Sequence, residues 1–175
     1  MDSIGIFGPK TCGKTNLAKY FSRQFWRWHE RATLVLDPHR ESWGPQALVT
    51  TDGEKFTQWI WNSRNYLVIM EEAAETIARD RDKTTLFTRL NHQGHKLIII
   101  GHDGTDLLPV QRRQFDQLAL FVQPKKATEI WLEDQPQIRG LEEAPNLKQY
   151  EFLWGQHWQT AQKRILPLSE VRARG

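Results

Sequence analysis

Three observations on this chain predict an α/β fold in three layers, with a mainly parallel central sheet flanked by helices. Short apolar runs alternate with amphipathic stretches along the chain, the pattern of strands joined by crossover helices. Residues Gly8-Pro9-Lys10-Thr11-Cys12-Gly13-Lys14-Thr15 read G-x-x-x-x-G-K-T directly after the apolar run Ile4-Gly5-Ile6-Phe7. A later apolar run, Leu67-Val68-Ile69-Met70, ends in the paired acids Glu71-Glu72.

The elements follow in order. The first strand is Ser3 to Phe7, and the first helix runs from Lys14 to about His29, with Leu17, Tyr20, Phe21 and Phe25 on one face. The second strand, Ala32 to Leu36, is closed by Asp37-Pro38; a turn-rich segment leads to a helix over Glu54 to Asn62. Tyr66 to Met70 is the third strand, and Thr76 to about Gln93 reads as a helix carrying the charge run Arg79-Asp80-Arg81-Asp82-Lys83. The fourth strand is Lys96 to Gly101, and Asp106 to Phe115 is a short helix whose Pro109 suits an early turn. Leu118 to Val122 is the fifth strand and Lys125 to about Glu133 a further helix. Beyond it, Gly140 to Asn146 reads as a loop, Glu151 to Trp154 and His157 to Ile165 as strands, and Glu170 to Gly175 as a polar, frayed tail. With no repeat or linker, we expect one domain over residues 1–175, its last part from about 140 peripheral.

Composition is that of an ordinary globule: 175 residues, 39% hydrophobic and 26% charged, enough for a core without staples. Cys12 is the single cysteine, so no internal disulfide forms; inside the phosphate loop it reads as a small side chain and not a nucleophile. No apolar stretch reaches the length of a membrane span and the N-terminus reads as a strand, from which a cytosolic location is expected. The net charge of +3 is compatible with nucleic acid without demanding it. Of the eight Trp, Trp26, Trp28, Trp59 and Trp61 recur on predicted helices, where core or subunit-interface packing is favoured over base stacking.

The octapeptide is the phosphate-binding P-loop in its expected setting, a buried strand before it and a helix after. Its glycines let successive N–H groups turn toward phosphate oxygens, and the helix adds its positive end. Lys14 would reach the β- and γ-phosphates of a nucleoside triphosphate, and the Thr15 hydroxyl would hold Mg²⁺. Glu71, emerging at the carboxyl edge of the sheet, can hold the metal as the Walker B acid, although most such motifs carry Asp there; Glu72 can act as general base on water. The plainer alternative is an acid-rich helix start before Ala73-Ala74. His102, after the fourth strand, can serve as a sensor toward the γ-phosphate or the attacking water, or be a surface histidine. Arg112 or Arg113 can stabilise transition-state charge, or be salt-bridged at the surface. Asp37 is a metal or water partner, or a turn residue before proline.

Together the P-loop, L-V-L-D-P-H-R-E at the second strand, L-V-I-M-E-E, and G-H-D-G-T-D-L-L-P-V-Q-R-R-Q-F-D leading into L-A-L-F-V resemble the FtsK–HerA superfamily of DNA-pumping ATPases. Within it the match, over roughly residues 3 to 124, is most like the genome-packaging ATPases of tailless, membrane-containing viruses. The resemblance implies a three-layer P-loop NTPase of the ASCE/RecA-like kind, forming a hexameric ring that hydrolyses ATP with Mg²⁺ between subunits and moves double-stranded DNA. It implies Lys14 and Thr15 as phosphate and metal ligands, Glu71 and Glu72 as the Walker B pair, His102 as sensor in place of the usual amide, and Arg112 or Arg113 as a finger acting in trans. The chain starts almost at the first strand, so no N-terminal barrel or membrane domain is expected. The implied partners are DNA bound without sequence preference, further copies of the chain (a hexamer, or a monomer when isolated) and capsid vertex proteins, in the host cytoplasm and the virion. Arg79, Arg81 and Lys83, then Lys125 and Lys126, are candidate DNA contacts, against a solvated helix face for the first cluster.

A relative of the filamentous-phage assembly ATPases, or another motor of the superfamily, shares this core. A nucleotide or small-metabolite kinase would need an arginine-rich lid, for which no insertion is visible. A GTP switch lacks its N/T-K-x-D signature, and an ABC-type ATPase its serine-glycine-glycine helix.

Overall fold

The computed structural model describes residues 3–76 and 84–166. Its eight strands form one sheet in the order β3-β2-β4-β5-β1-β6-β7-β8. These are β1 (Ser3–Phe7), β2 (Thr33–Leu36), β3 (Ala47–Thr50), β4 (Leu67–Met70), β5 (Lys96–Gly101), β6 (Gln117–Phe121), β7 (Glu151–Gln156) and β8 (Gln162–Ile165). The first six pair in parallel, while β7 and β8 are added antiparallel. Because the central strands are covered on both faces, they read as continuous apolar runs rather than alternating ones.

Successive side chains of each strand feed opposite layers. Ile4, Ile6, Val35, Ile69, Ile98 and Ile100 pack on one face under Leu17, Ala18 and Phe25 of helix α1 (Lys14–His29). Leu34, Leu36, Val68, Met70, Leu97 and Ile99 pack on the other, under α2 (Gly53–Trp61), α4 (Thr84–His92) and α6 (Lys125–Asp134). Trp131 of α6 is fully buried there against Phe7, ring centroids 4.6 Å apart. The two helical layers with the sheet between them are the predicted three-layer arrangement.

Several elements differ from the reading of the sequence. The turn-rich segment after β2 hides β3, a four-residue edge strand whose Leu48 and Val49 face solvent, so it lacks a buried strand's signature. The helix expected from Thr76 begins earlier, as α3 (Ala73–Thr76), and α4 takes up its second half. The charge run with Arg79, Arg81 and Lys83 lies outside the described residues, as does the tail from Glu170. The short helix over Asp106–Phe115 is a 3₁₀ turn, Gly104–Asp106, followed by α5 (Pro109–Arg112), with Pro109 in the first turn. Leu141–Asn146, expected as a loop, is a 3₁₀ helix. Among the described residues of the part expected to be peripheral, β8 is exposed along its length, whereas β7 buries Phe152, Leu153 and Trp154 in the core. Trp59 and Trp61 pack on the core, whereas Trp26 and Trp28 are exposed at 46% and 79%.

Candidate active site

Parallel strands end together, so β1, β4, β5 and β6 deliver their following residues to one edge of the sheet, where α/β folds hold ligands. The segment after β1 is the glycine-rich loop. A Cβ at Gly8 would lie 2.6 Å from Phe121 Cβ and 2.8 Å from Cys12 Sγ, so only glycine fits there. Gly13, at φ 105°, makes the left-handed turn into α1. Thr11 is also left-handed, at φ 63°. Pro9, Lys10 and Thr11 are exposed at the crest of the loop, while Cys12 beneath is 4% exposed. Burial pushes the Cys12 thiol up against the opposing pull of Lys14, in keeping with an unreactive side chain.

Lys14, the first residue of α1, is buried, and its Nζ donates to the Pro9 carbonyl at 2.9 Å, so the ammonium lies across the loop it opens from. Thr15 Oγ1 donates to Glu71 Oε1 at 2.5 Å. Residues 56 apart in sequence thus meet at the sheet edge. Glu71 is held there by its own N–H, which extends the sheet to the Leu36 carbonyl at 2.9 Å. Burial, with smaller contributions from Glu41 and Asp37, pushes the Glu71 carboxyl up to about 6, against the hydrogen bond from Thr15.

Glu72 turns back in the left-handed region, φ 48°, a strained conformation for a long side chain and one that functional sites retain. That turn separates the two acids. Glu71 faces Thr15, while Glu72 Oε2 lies 3.2 Å from His102 Nε2 and its Oε1 4.0 Å from His39 Nε2. His102 is anchored at both ends of its peptide: its N–H donates to Asp106 Oδ2 at 2.9 Å and its carbonyl accepts from Gln123 Nε2 at 3.0 Å. The sequence reading offers His102 to the γ-phosphate or the attacking water; in the structure its ring lies against Glu72.

For two further residues the structure shows the plainer of the roles that the sequence left open. Asp37 is fully buried, and its carboxylate accepts from the N–H groups of His39 and Glu41, both at 2.8 Å, and from Trp43 Nε1 at 2.9 Å. It is the anchor of its own turn, which brings His39 to Glu72. Arg112 points inward, away from any role as a finger. Its Nε donates to Asp134 Oδ2 at 2.6 Å and its Nη1 to the carbonyls of Gly104 and Leu107 at 2.6 and 2.5 Å. Arg113 reaches the other Asp134 oxygen, Nε to Oδ1 2.9 Å, but its side chain is 59% exposed. Of the pair, Arg113 is the one whose guanidinium faces solvent. His39 and Asp134 escaped the sequence reading because their partners lie 33 and about 21 positions away; the Arg112-Arg113 doublet beside a helix ending in acids was the one available signal.

Thr15 and Glu71 offer two hard oxygen donors side by side, a set that suits Mg²⁺, which takes few protein ligands and completes its shell with phosphate and water. Consistently, no group of three or more His, Cys, Asp or Glu among the described residues is arranged to hold a metal by itself.

No protein-family profile matches the sequence, and no curated protein matches it. Solved structures do resemble it. The genome packaging NTPase B204 from Sulfolobus turreted icosahedral virus 2, in complex with AMPPCP, superposes with a TM-score of 0.75 at 20% identity, over 93% of this chain and 96% of that one. The DNA-packaging ATPase B204 from Sulfolobus turreted icosahedral virus superposes with a TM-score of 0.73 at 21% identity over the same shares. The N-terminal domain of zonular occludens toxin from Neisseria meningitidis is more distant, with a TM-score of 0.50, 15% identity and 67% and 75% covered. These likenesses bear on architecture: they show that the chain has the three-layer α/β fold of those P-loop NTPase structures.

Proposed function

We propose that this chain is an ATP-hydrolysing DNA translocase that packages a double-stranded viral genome into a preformed capsid. The observation that carries the reading is the meeting of the phosphate loop with two acids turned apart: Thr15 on Glu71, and Glu72 free of that contact and facing two histidines. The overall likeness to packaging NTPases, one bound to AMPPCP, supports it.

The geometry supports the following roles. The N–H groups of Gly8 to Thr15 and the Lys14 ammonium bind the phosphates, Lys14 leaving the Pro9 carbonyl to do so. Thr15 and Glu71 would hold Mg²⁺, which when bound neutralises charge on the transferred phosphoryl group. Burial raises the Glu71 carboxyl to about 6, and a neighbouring cation would pull it back toward the ordinary range. Glu72 takes the proton of the attacking water, and its left-handed backbone aims it away from Glu71 and toward the space over β5. His102 and His39 orient the Glu72 carboxylate. Arg113 is the candidate finger toward a neighbouring copy in a hexameric ring, and Lys125 and Lys126, exposed at the start of α6, are candidates for backbone contact with DNA. No helix among the described residues is long and apolar enough to cross a membrane.

The test is ATP turnover with and without double-stranded DNA, alongside the mass in solution. DNA-stimulated turnover by a hexamer, lost in Lys14→Ala, supports the motor. Phosphate transfer to a small acceptor by a monomer would instead make the chain a kinase. With capsids added to the same assay, turnover that DNA stimulates and capsids leave unchanged would instead point to another FtsK–HerA-type motor, such as a filamentous-phage assembly ATPase.

A further inference from the structure

The acids stand on one side of the phosphate loop only. Counted along the sheet, β4 lies two strands from β1 on the β5 side, and both Glu71 and the Glu72–His102 contact belong to that side. A triphosphate gripped by the loop therefore directs its terminal phosphate toward β4 and β5. Its nucleoside must leave in the opposite sense, over β6, β7 and β8.

What lies there is a wall built by the added hairpin. Because β7 is antiparallel to β6 and β8 antiparallel to β7, the start of β7 and the end of β8 both return to the edge that carries the loop; Glu151 pairs with Ile165 in register. The residues just outside that pair, Tyr150 and Leu166, are joined by a hydrogen bond from the Leu166 N–H to the Tyr150 carbonyl at 2.9 Å. Both press on the loop. A Cβ built on Gly13 would lie 2.6 Å from Leu166 Cδ2 and 3.5 Å from Tyr150 Cδ1. Leu166 is buried, and Tyr150, packed against the core on the α1 side of the sheet, is half-buried. Tyr150 is also held at φ 66°, unusual for an aromatic residue.

We propose that Tyr150, backed by Leu166, is the stacking platform for the base of the bound nucleotide, and that it selects purine over pyrimidine nucleotides. The inference rests on the phosphate-loop reading above. A ring edge and an aliphatic side chain recognise the π-face and area of a base, not its hydrogen-bonding edge, so the preference follows size.

Calorimetric titration separates the two readings. The probes are ADP, CDP, AMPPCP and inorganic tripolyphosphate, each with Mg²⁺, on the full chain. Wild-type protein should bind ADP several-fold more tightly than CDP. Tyr150→Ala should weaken ADP and AMPPCP by about tenfold, the order expected for one lost stack. It should leave tripolyphosphate within about twofold and abolish the ADP–CDP difference, while Tyr150→Phe keeps wild-type affinities. Unchanged tripolyphosphate binding also reports an intact loop; should Tyr150→Ala not fold, Tyr150→Asn, which tolerates the left-handed backbone, replaces it. Equal affinity of the wild type for ADP and CDP overturns the proposal, as does a parallel loss of tripolyphosphate and nucleotide in the variants. Wild-type protein that binds neither tripolyphosphate nor nucleotide overturns the phosphate-loop reading instead.

Discussion

Replacing Glu71 by Gln keeps the shape of the side chain and the acceptor for Thr15 while removing a carboxyl that the fold has buried to 4% exposure. The native environment raises that carboxyl from the ordinary 4.5 to about 6, chiefly by burial. Below the ordinary value it is protonated in both the folded and unfolded chain and has no effect on stability. Between 4.5 and about 6 the unfolded chain releases the proton first, so stability falls as pH rises, and above about 6 the loss is complete. At about 1.36 kcal/mol per pH unit this amounts to about 2 kcal/mol. The Gln variant does not titrate. Without nucleotide and with EDTA, it should therefore exceed wild type by about 2 kcal/mol at pH 8, or about 4–8 °C in Tm, and match it near pH 4.5. Urea unfolding followed by tryptophan fluorescence at half-unit pH steps reads this directly, and ATP turnover by the same variant should be lost. A variant less stable than wild type at pH 8, or a difference that stays constant from pH 4.5 to 8, refutes the reasoning. The predicted trade, stability surrendered for an acid proposed to hold a metal ion, is a common one at active sites.

Three other outcomes are expected. Glu72→Gln should bind ATP with near wild-type affinity yet hydrolyse it about 10²–10⁴-fold more slowly, read by calorimetry and phosphate release; normal turnover removes Glu72 as the base. Arg112→Ala should cost about 3 kcal/mol in chemical unfolding, because Asp134 and two carbonyls lose their buried donor, whereas Arg113→Ala should cost less than about 1 kcal/mol yet reduce turnover, with activity regained on mixing with Glu72→Gln subunits if it acts across an interface. Gly13→Ala should lose nucleotide binding and destabilise by about 1–3 kcal/mol, since φ 105° and the 2.6 Å approach of Leu166 both oppose a Cβ.

Much of the fold was legible because its signals are local. Apolar runs of four to six residues mark the central strands, and the buried amphipathic face of α1 follows from spacing alone. The P-loop was visible because glycine, lysine and threonine at those intervals have few other uses. Edge elements were harder: β3 carries too little buried surface to stand out, and Leu141–Asn146 is a 3₁₀ helix whose Pro145 reads as a loop. The chemistry of single polar residues was harder still. Asp37, Arg112 and His102 each allow several roles in sequence, and the choice depends on which distant group each one meets.

Composition and spacing alone determined that this chain builds a three-layer α/β fold around its G-x-x-x-x-G-K-T loop, with two acids delivered to the same sheet edge. Only the tertiary structure decided what each acid faces, that Arg112 is spent on Asp134, that Asp37 holds a turn, and that Tyr150 returns to the loop from β7. The physical reason is range: hydrophobic periodicity and turn chemistry act over a few residues, whereas a hydrogen bond or an ion pair is set by side chains the chain has folded together from tens of positions apart.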